Sequence, residues 1–239
     1  MFSIKAENLR KSFGAVKALE GVSLDFGAGL LHGLIGSDGA GKTTTLRLLA
    51  GLLRPSGGRL HYLRDGRLSS FGEIRPGLAY MPQQASLYPD LSVAEHLEFF
   101  RELYRLRQED FRRRSEELLE ITRLGRFRDR RAGQLSGGMY KKLGLMCALL
   151  QRPSALLLDE PTNGVDPISR REFWELLYGL AGQKILIILA TAYMDEAERC
   201  ARVHLLEGGR LLASGEPRAV LRERGAASFE EIFIKGGVK

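Results

Sequence analysis

The chain has 239 residues, enough for one large α/β domain or a domain with one inserted lobe, and too few for two such domains. Apolar residues make up 44%, which excludes a disordered chain, and two cysteines, Cys147 and Cys200, are too few for a disulfide framework or a zinc site. A net charge of +7 points to anionic partners such as phosphates, nucleic acid or a lipid surface, or equally to a well-solvated arginine-rich surface.

The first thirty residues alternate in β fashion, with Gly14, Gly21, Gly27 and Gly29 as turn punctuation, and predict an antiparallel meander. The N-terminus carries no apolar signal-peptide region, so the chain is expected to stay in the cytoplasm. LLHGLIG reads as a buried strand entering a glycine loop. TTTLRLLAGLL repeats leucine at helical spacing up to the stop at Pro55-Ser56-Gly57-Gly58. Short strands are predicted around Arg59–Leu63 and Leu78–Met81.

From Ser92 to Arg131 the texture changes to two amphipathic helices, VAEHLEFFRELYRLR and EDFRRRSEELLEITRL. This stretch, with eleven arginines against seven acidic residues between Arg101 and Arg131, predicts an inserted helical lobe. After Ser136 the order is helix, strand, helix, strand: LSGGMYKKLGLMCALL, ALLLDE, SRREFWELLYGL and KILIILAT. Short apolar strands alternating with helices predict a mainly parallel sheet buried on both faces. The longest apolar run, Lys184–Tyr193, is about half the roughly 20 residues of a membrane span.

Three segments carry chemistry. Gly36-Ser37-Asp38-Gly39-Ala40-Gly41-Lys42-Thr43-Thr44 fits G-x-x-x-x-G-K-[ST] between a strand and a helix. Its backbone N–H groups and the helix N-terminus suit a phosphate chain, with Lys42 reaching the β/γ-phosphates and the Thr43 hydroxyl on Mg²⁺. Leu156-Leu157-Leu158-Asp159-Glu160 is an apolar strand ending in two acids. Asp159 is placed to hold Mg²⁺, directly or through water, and Glu160 to polarise an attacking water. Together these segments predict a nucleotide triphosphatase. Leu135-Ser136-Gly137-Gly138 opens a helix with Ser136 as N-cap, which makes a second anion-binding helix end.

The order and spacing of these motifs closely resemble the ATP-binding subunits of ABC transporters, over almost the whole chain. The glycine loop looks like Walker A, ALLLDEP like Walker B and LSGGM like the ABC signature. The resemblance implies a P-loop core, an N-terminal antiparallel β subdomain and a helical subdomain at about 92–150, in a single domain 1–239. It implies ATP and Mg²⁺ as cofactors, Phe13 stacking on adenine, and Gln83 contacting Mg²⁺ and sensing a membrane partner. It further implies a head-to-tail dimer with a second ATPase domain, in which Ser136, Gly137, Gly138 and the D-loop residue Asp166 serve the partner's ATP. YMPQ, LSGGM, GVDPISRR and YMDEAERC are most similar to the ABC-2-type export group. That implies a transmembrane permease as partner, with the chain peripheral on the inner face of the membrane.

The chain departs from the family at one telling position. After KILIILAT the family places a histidine on the γ-phosphate, and here Ala192 occupies that place. Loss of one preorganised donor typically costs about 100- to 1000-fold in rate, so the chain's own site is expected to bind ATP but turn over slowly, unless Tyr193 or a water takes the histidine's place. In this the chain resembles the first ATPase half of tandem export proteins, where similar histidine-less sites occur. Two alternatives are a soluble ABC ATPase acting on nucleic acid or ribosomes, and a nucleotide-binding regulatory half that never turns over. The first is disfavoured because 51 residues separate Gln83 from Leu135, the length of a transporter's helical lobe and far short of a coiled coil, so no nucleic-acid partner is expected. Glu160 argues against the second.

Overall fold

The computed structural model describes residues 1–84 and 87–236. The alternating N-terminal segments form β1 (Phe2–Phe13) and β2 (Val16–Phe26), an antiparallel hairpin. With β4 (Gly57–Arg64) and β5 (Arg67–Ser69) they make a four-stranded antiparallel sheet in the order β2-β1-β4-β5. Gly21 does not punctuate a turn as expected. It sits inside β2 with φ +87°, where the register steps from Leu9 opposite Val22 to Arg10 opposite Glu20, so its glycine freedom serves a bulge rather than a chain reversal.

The apolar strands form the second sheet. β3 (Leu31–Ile35), β6 (Leu78–Met81), β7 (Ala155–Asp159), β8 (Leu186–Thr191), β9 (Arg202–Glu207) and β10 (Arg210–Gly215) lie in the order β10-β9-β3-β8-β7-β6. All neighbours are parallel except β10, which hairpins back on β9. Period-two alternation divides the side chains between two cores. Leu157, Leu186 and Ile188 face the antiparallel sheet and α1 (Lys42–Leu49). Leu156, Leu158, Ile187 and Leu189 face the other side, toward the long helices. This double burial is why these strands read as unbroken apolar runs.

The helix after the glycine loop is shorter than its leucine spacing suggests. α1 ends at Leu49, and Gly51 follows with φ +67°. A Cβ there would meet the Phe71 ring at 2.2 Å, so chain reversal and close packing both require glycine. Gly57 and Gly58, read as loop, begin β4. A four-residue α2 (Phe71–Ile74) follows β5.

The helical lobe contains α3 (Val93–Leu103) and α4 (Gln108–Thr122), both packed on α5 (Gly137–Leu149). Ser92 starts α3 through a reciprocal capping box with Glu95. α6 (Pro167–Gly182) connects β7 to β8, and α7 (Pro217–Arg224) and α8 (Phe229–Gly236) end the described chain. Parallel sheet, flanking helices, antiparallel sheet and helical lobe together make the P-loop α/β architecture expected from the motifs. Among the described residues no helix is long and apolar enough to cross a membrane.

Candidate functional site

The glycine loop runs from the end of β3 to the start of α1, where a parallel strand hands the chain to a helix N-terminus. Gly41 occupies the N-cap with φ +103°, and a Cβ there would meet the Leu19 side chain at 2.7 Å and the Ala18 carbonyl at 2.8 Å. Only glycine both reverses the backbone and lets the antiparallel sheet approach so closely. The N-cap offers no side-chain acceptor to the first turn, which keeps those N–H groups for an external anion.

Lys42 is only 4% exposed. Its ammonium donates to the carbonyls of Gly36 at 2.9 Å and Ser37 at 3.0 Å, and pairs with Glu160 Oε1 at 3.3 Å. The Thr43 hydroxyl donates to Asp159 Oδ1 at 3.0 Å, and the Tyr80 hydroxyl to Asp159 Oδ2 at 3.0 Å. Asp159 is fully buried. Burial raises its pKa, against the lowering effect of the Thr43 and Tyr80 hydrogen bonds. Glu160 Oε2 accepts from Gln83 Nε2 at 2.8 Å and Asn163 Nδ2 at 3.1 Å. Parallel pairing of β7 with β8 and β6 sets Asp159 and Glu160 beside the loop, and Glu160 N–H donates to the Ala190 carbonyl at 2.9 Å.

Lys42, Thr43, Gln83 and Glu160 open onto one cavity of about 520 Å³, with Asp159 behind Thr43. Phe13, Asp38, Gly39, Ala40, Gly41, Lys42, Thr43, Thr44, Gln83 and Glu160 line it. Gly36 and Ser37 contribute from behind, through the carbonyls that hold Lys42. Phe13 is half exposed, with the Lys11 ammonium 5.0 Å from its ring centre. The donor set around Thr43, Asp159 and Gln83 is all oxygen with a single buried carboxylate. That chemistry fits a hard divalent cation of the Mg²⁺ type, which takes one or two carboxylates and completes its shell with water and phosphate.

The signature residues lie elsewhere. Ser136 caps α5, its hydroxyl accepting from Met139 N–H at 3.4 Å. A Cβ on Gly138 would fall 2.4 Å from that of Ser169 on α6, so this glycine is also required by helix packing. Asp166 caps α6, accepting from Ile168 N–H at 3.1 Å and Ser169 N–H at 2.9 Å. These hydrogen bonds lower its pKa. None of Ser136, Gly137, Gly138 and Asp166 lines the loop cavity.

Ala192 follows β8 directly, and no histidine stands in for it. His32 and His204 bond one another at 3.1 Å in the core, His61 lies on β4 beside Glu7, and His96 is held in α3 between the Ser92 carbonyl and Tyr88 N–H. The Tyr193 hydroxyl is 3.4 Å from Asn163 Oδ1, and the Arg170 guanidinium lies 4.5 Å from the Tyr193 ring centre. Sequence reading missed Tyr80, Asn163 and Lys141. Tyr80 falls inside YMPQ and Asn163 directly before GVDPISRR, and both owe their roles to cross-strand and turn geometry. Lys141 had no signal at all: its ammonium donates to the carbonyls of Gln83 at 2.7 Å and Glu160 at 3.4 Å.

Comparison with known proteins agrees with this geometry. Residues 19–163 match the family model described as ABC transporter. The chain belongs to the ABC transporter family. This cassette is 48% identical over 202 residues to the probable multidrug ABC transporter ATP-binding protein YbhF of Escherichia coli, covering 84% of the cassette and 35% of YbhF. It thus spans about a third of that relative's length. It is 34% identical to the daunorubicin resistance ATP-binding protein DrrA3 of Streptomyces coeruleorubidus, covering 98% of the cassette and 75% of DrrA3. Among solved structures, an ATP-binding subunit of an ABC transporter superposes with a TM-score of 0.84 at 30% identity, covering 98% of each chain. The dimeric structure of MJ0796, a bacterial ABC transporter cassette, superposes with a TM-score of 0.77 at 26% identity, covering 89% of this cassette and 98% of that chain. The cassette is an ATP-binding domain of the ATPase class.

Proposed function

We propose that this cassette binds ATP with Mg²⁺ in the loop cavity and drives export through a separate transmembrane permease. It works as one of two ATPase domains paired head to tail. The observation that carries this reading is the convergence of Lys42, Thr43, Glu160 and Gln83 on one cavity at a helix N-terminus, with Asp159 bonded to Thr43 behind it. Multidrug and daunorubicin-resistance names among the relatives support export, and the dimeric cassette of MJ0796 supports pairing. On this reading residues 1–239 are one domain, the helical subdomain spans about 92–150, and the cassette sits peripherally at a membrane.

Each side chain has a distinct task. The loop N–H groups and Lys42 hold the phosphates, Lys42 exchanging its loop carbonyls and Glu160 for phosphate oxygens. Thr43, Asp159 and Gln83 would hold Mg²⁺, which neutralises charge on the β- and γ-phosphates when bound. Glu160, freed from Lys42, accepts the proton of the attacking water as the new P–O bond forms and the bond to the β-phosphate oxygen breaks. Phe13 stacks on the adenine. Ser136, Gly137, Gly138 and Asp166, outside the cavity, serve the partner's nucleotide.

Ala192 supplies no donor where the family places a histidine, and Tyr193 beside it is turned to Asn163. The cassette's own site is therefore slow. ATP titration of the wild type and Lys42→Ala tests the binding half of this reading: tight binding by the wild type alone supports it, and equal binding by both contradicts it. Membrane fractionation, with or without salt-sensitive RNA association, tests the permease against a nucleic-acid partner.

A further inference from the structure

The signature helix α5 does more inside its own chain than present an N-terminus. Five residues after Ser136, the Lys141 ammonium reaches back to the Gln83 carbonyl at 2.7 Å and the Glu160 carbonyl at 3.4 Å. The side chains of those same two residues bond one another at 2.8 Å. Lys141, Gln83 and Glu160 thus form a closed ring, with one cation holding two backbones whose side chains meet in the loop cavity.

Two further observations give the ring a purpose. Glu160 adopts φ +46°, a left-handed conformation costly for a residue with a Cβ and sustained only when its surroundings hold it. Its N–H is fixed by the Ala190 carbonyl, and its own carbonyl takes Asn163 N–H at 3.2 Å and Lys141. The neighbouring helix residue, Tyr140, offers its hydroxyl to Leu87 N–H at 3.2 Å. One turn of α5 therefore grips chain at both Gln83 and Leu87. α5 is a continuous helix from Gly137 to Leu149, so a displacement of its N-terminus moves Lys141 with it.

We propose that Lys141 is a positioning residue, through which the signature end of α5 sets the backbones of Gln83 and Glu160 in the same chain's ATP site. This rests on the ATPase reading above. When a partner's nucleotide seats on Ser136 and the glycines, the shift of α5 is delivered through one side chain to the residues that hold the cation and activate water. Tyr140 steadies the far side of the same grip.

The test uses the full chain carrying Ala192→His, so that turnover is measurable, with Lys141→Met, Lys141→Arg and Tyr140→Phe added singly. Loss of an orienting partner one bond behind a reacting group typically costs tenfold or more. Lys141→Met is expected to lower kcat about tenfold with ATP affinity nearly unchanged, and Lys141→Arg to recover most of the loss. Hydrogen exchange without nucleotide gives a readout independent of activity. The Leu87 amide should exchange faster in Tyr140→Phe, and the backbone flanking Gln83 and Glu160 faster in Lys141→Met but not in Lys141→Arg. The proposal is overturned if Lys141→Met leaves kcat and exchange unchanged. It is equally overturned if kcat, ATP affinity and Tm fall together and arginine rescues nothing. Failure of the ATPase reading looks different: no variant binds ATP better than Lys42→Ala, while the exchange experiment still reports on the grip.

Discussion

The N-termini of α1 and α5 carry similar local chemistry, glycines beside a helix start, in opposite surroundings. At α1 the N-cap is Gly41, without a side-chain acceptor, and Lys42, Asp159, Glu160 and Gln83 crowd around it. At α5 Ser136 supplies the cap, and Gly138 is set against Ser169 of α6 rather than against polar groups of a cavity. On the proposed reading, one end is a site within its own chain and the other serves a second molecule. A glycine-rich helix start acquires function from what tertiary structure places opposite it.

The sharpest way to break this contrast is at the chemistry of the α1 end. In the Ala192→His background, Glu160→Gln is expected to lower turnover by about 10²- to 10⁴-fold with ATP binding retained, measured by steady-state phosphate release. Lys42→Ala removes the buried cation and should weaken ATP affinity roughly 100-fold, read by calorimetric titration. The corresponding change at the α5 end, Ser136→Ala, should leave binding to the isolated chain unaltered.

Acidification tests whether stability separates from both ends. His32 Nε2–H donates to the Gly27 carbonyl, His204 Nε2–H to His32 Nδ1, and the Ser214 hydroxyl to His204 Nδ1, a chain of neutral rings. Burial pushes His32 down to about 4 and His204 down to about 3, the latter helped by its neighbour His32. The unfolded chain, with histidines near 6.5, binds more protons between these limits, so stability falls as pH drops below about 6.5. Roughly 2–3 kcal/mol should be lost between pH 6.5 and 5, measured by urea denaturation. Replacing both histidines with glutamine should flatten that slope. The smallest effects concern packing at α5. Gly138→Ala should cost about 1–3 kcal/mol by overpacking against Ser169, whereas Gly137→Ala, whose nearest neighbour would be the Gly164 carbonyl at 3.4 Å, should cost less in the same melts.

Much of this was legible in the sequence because it is written in contiguous segments. The glycine loop, Thr43, and the Asp159-Glu160 strand end each follow from local spacing, and the doubly buried strands from their unbroken apolar runs. What was not legible lies between segments. The Gln83–Glu160 and Tyr80–Asp159 bonds depend on β6 pairing with β7, and Lys141 meets Gln83 and Glu160 only because α5 packs across β6. Gly21 read as a turn because a bulge and a reversal ask for the same residue. The early end of α1 depends on Phe71, twenty residues downstream of Gly51, which no leucine spacing reports.

The most direct measurement of the central claim is Mg²⁺-ATP turnover by the wild-type chain beside Ala192→His, with ATP affinity determined for both. The expected result is equal affinity, near-inert wild type, and a rate at least about tenfold higher in the histidine variant. Brisk wild-type turnover that the histidine does not improve would contradict it, and would make the cassette a self-sufficient motor.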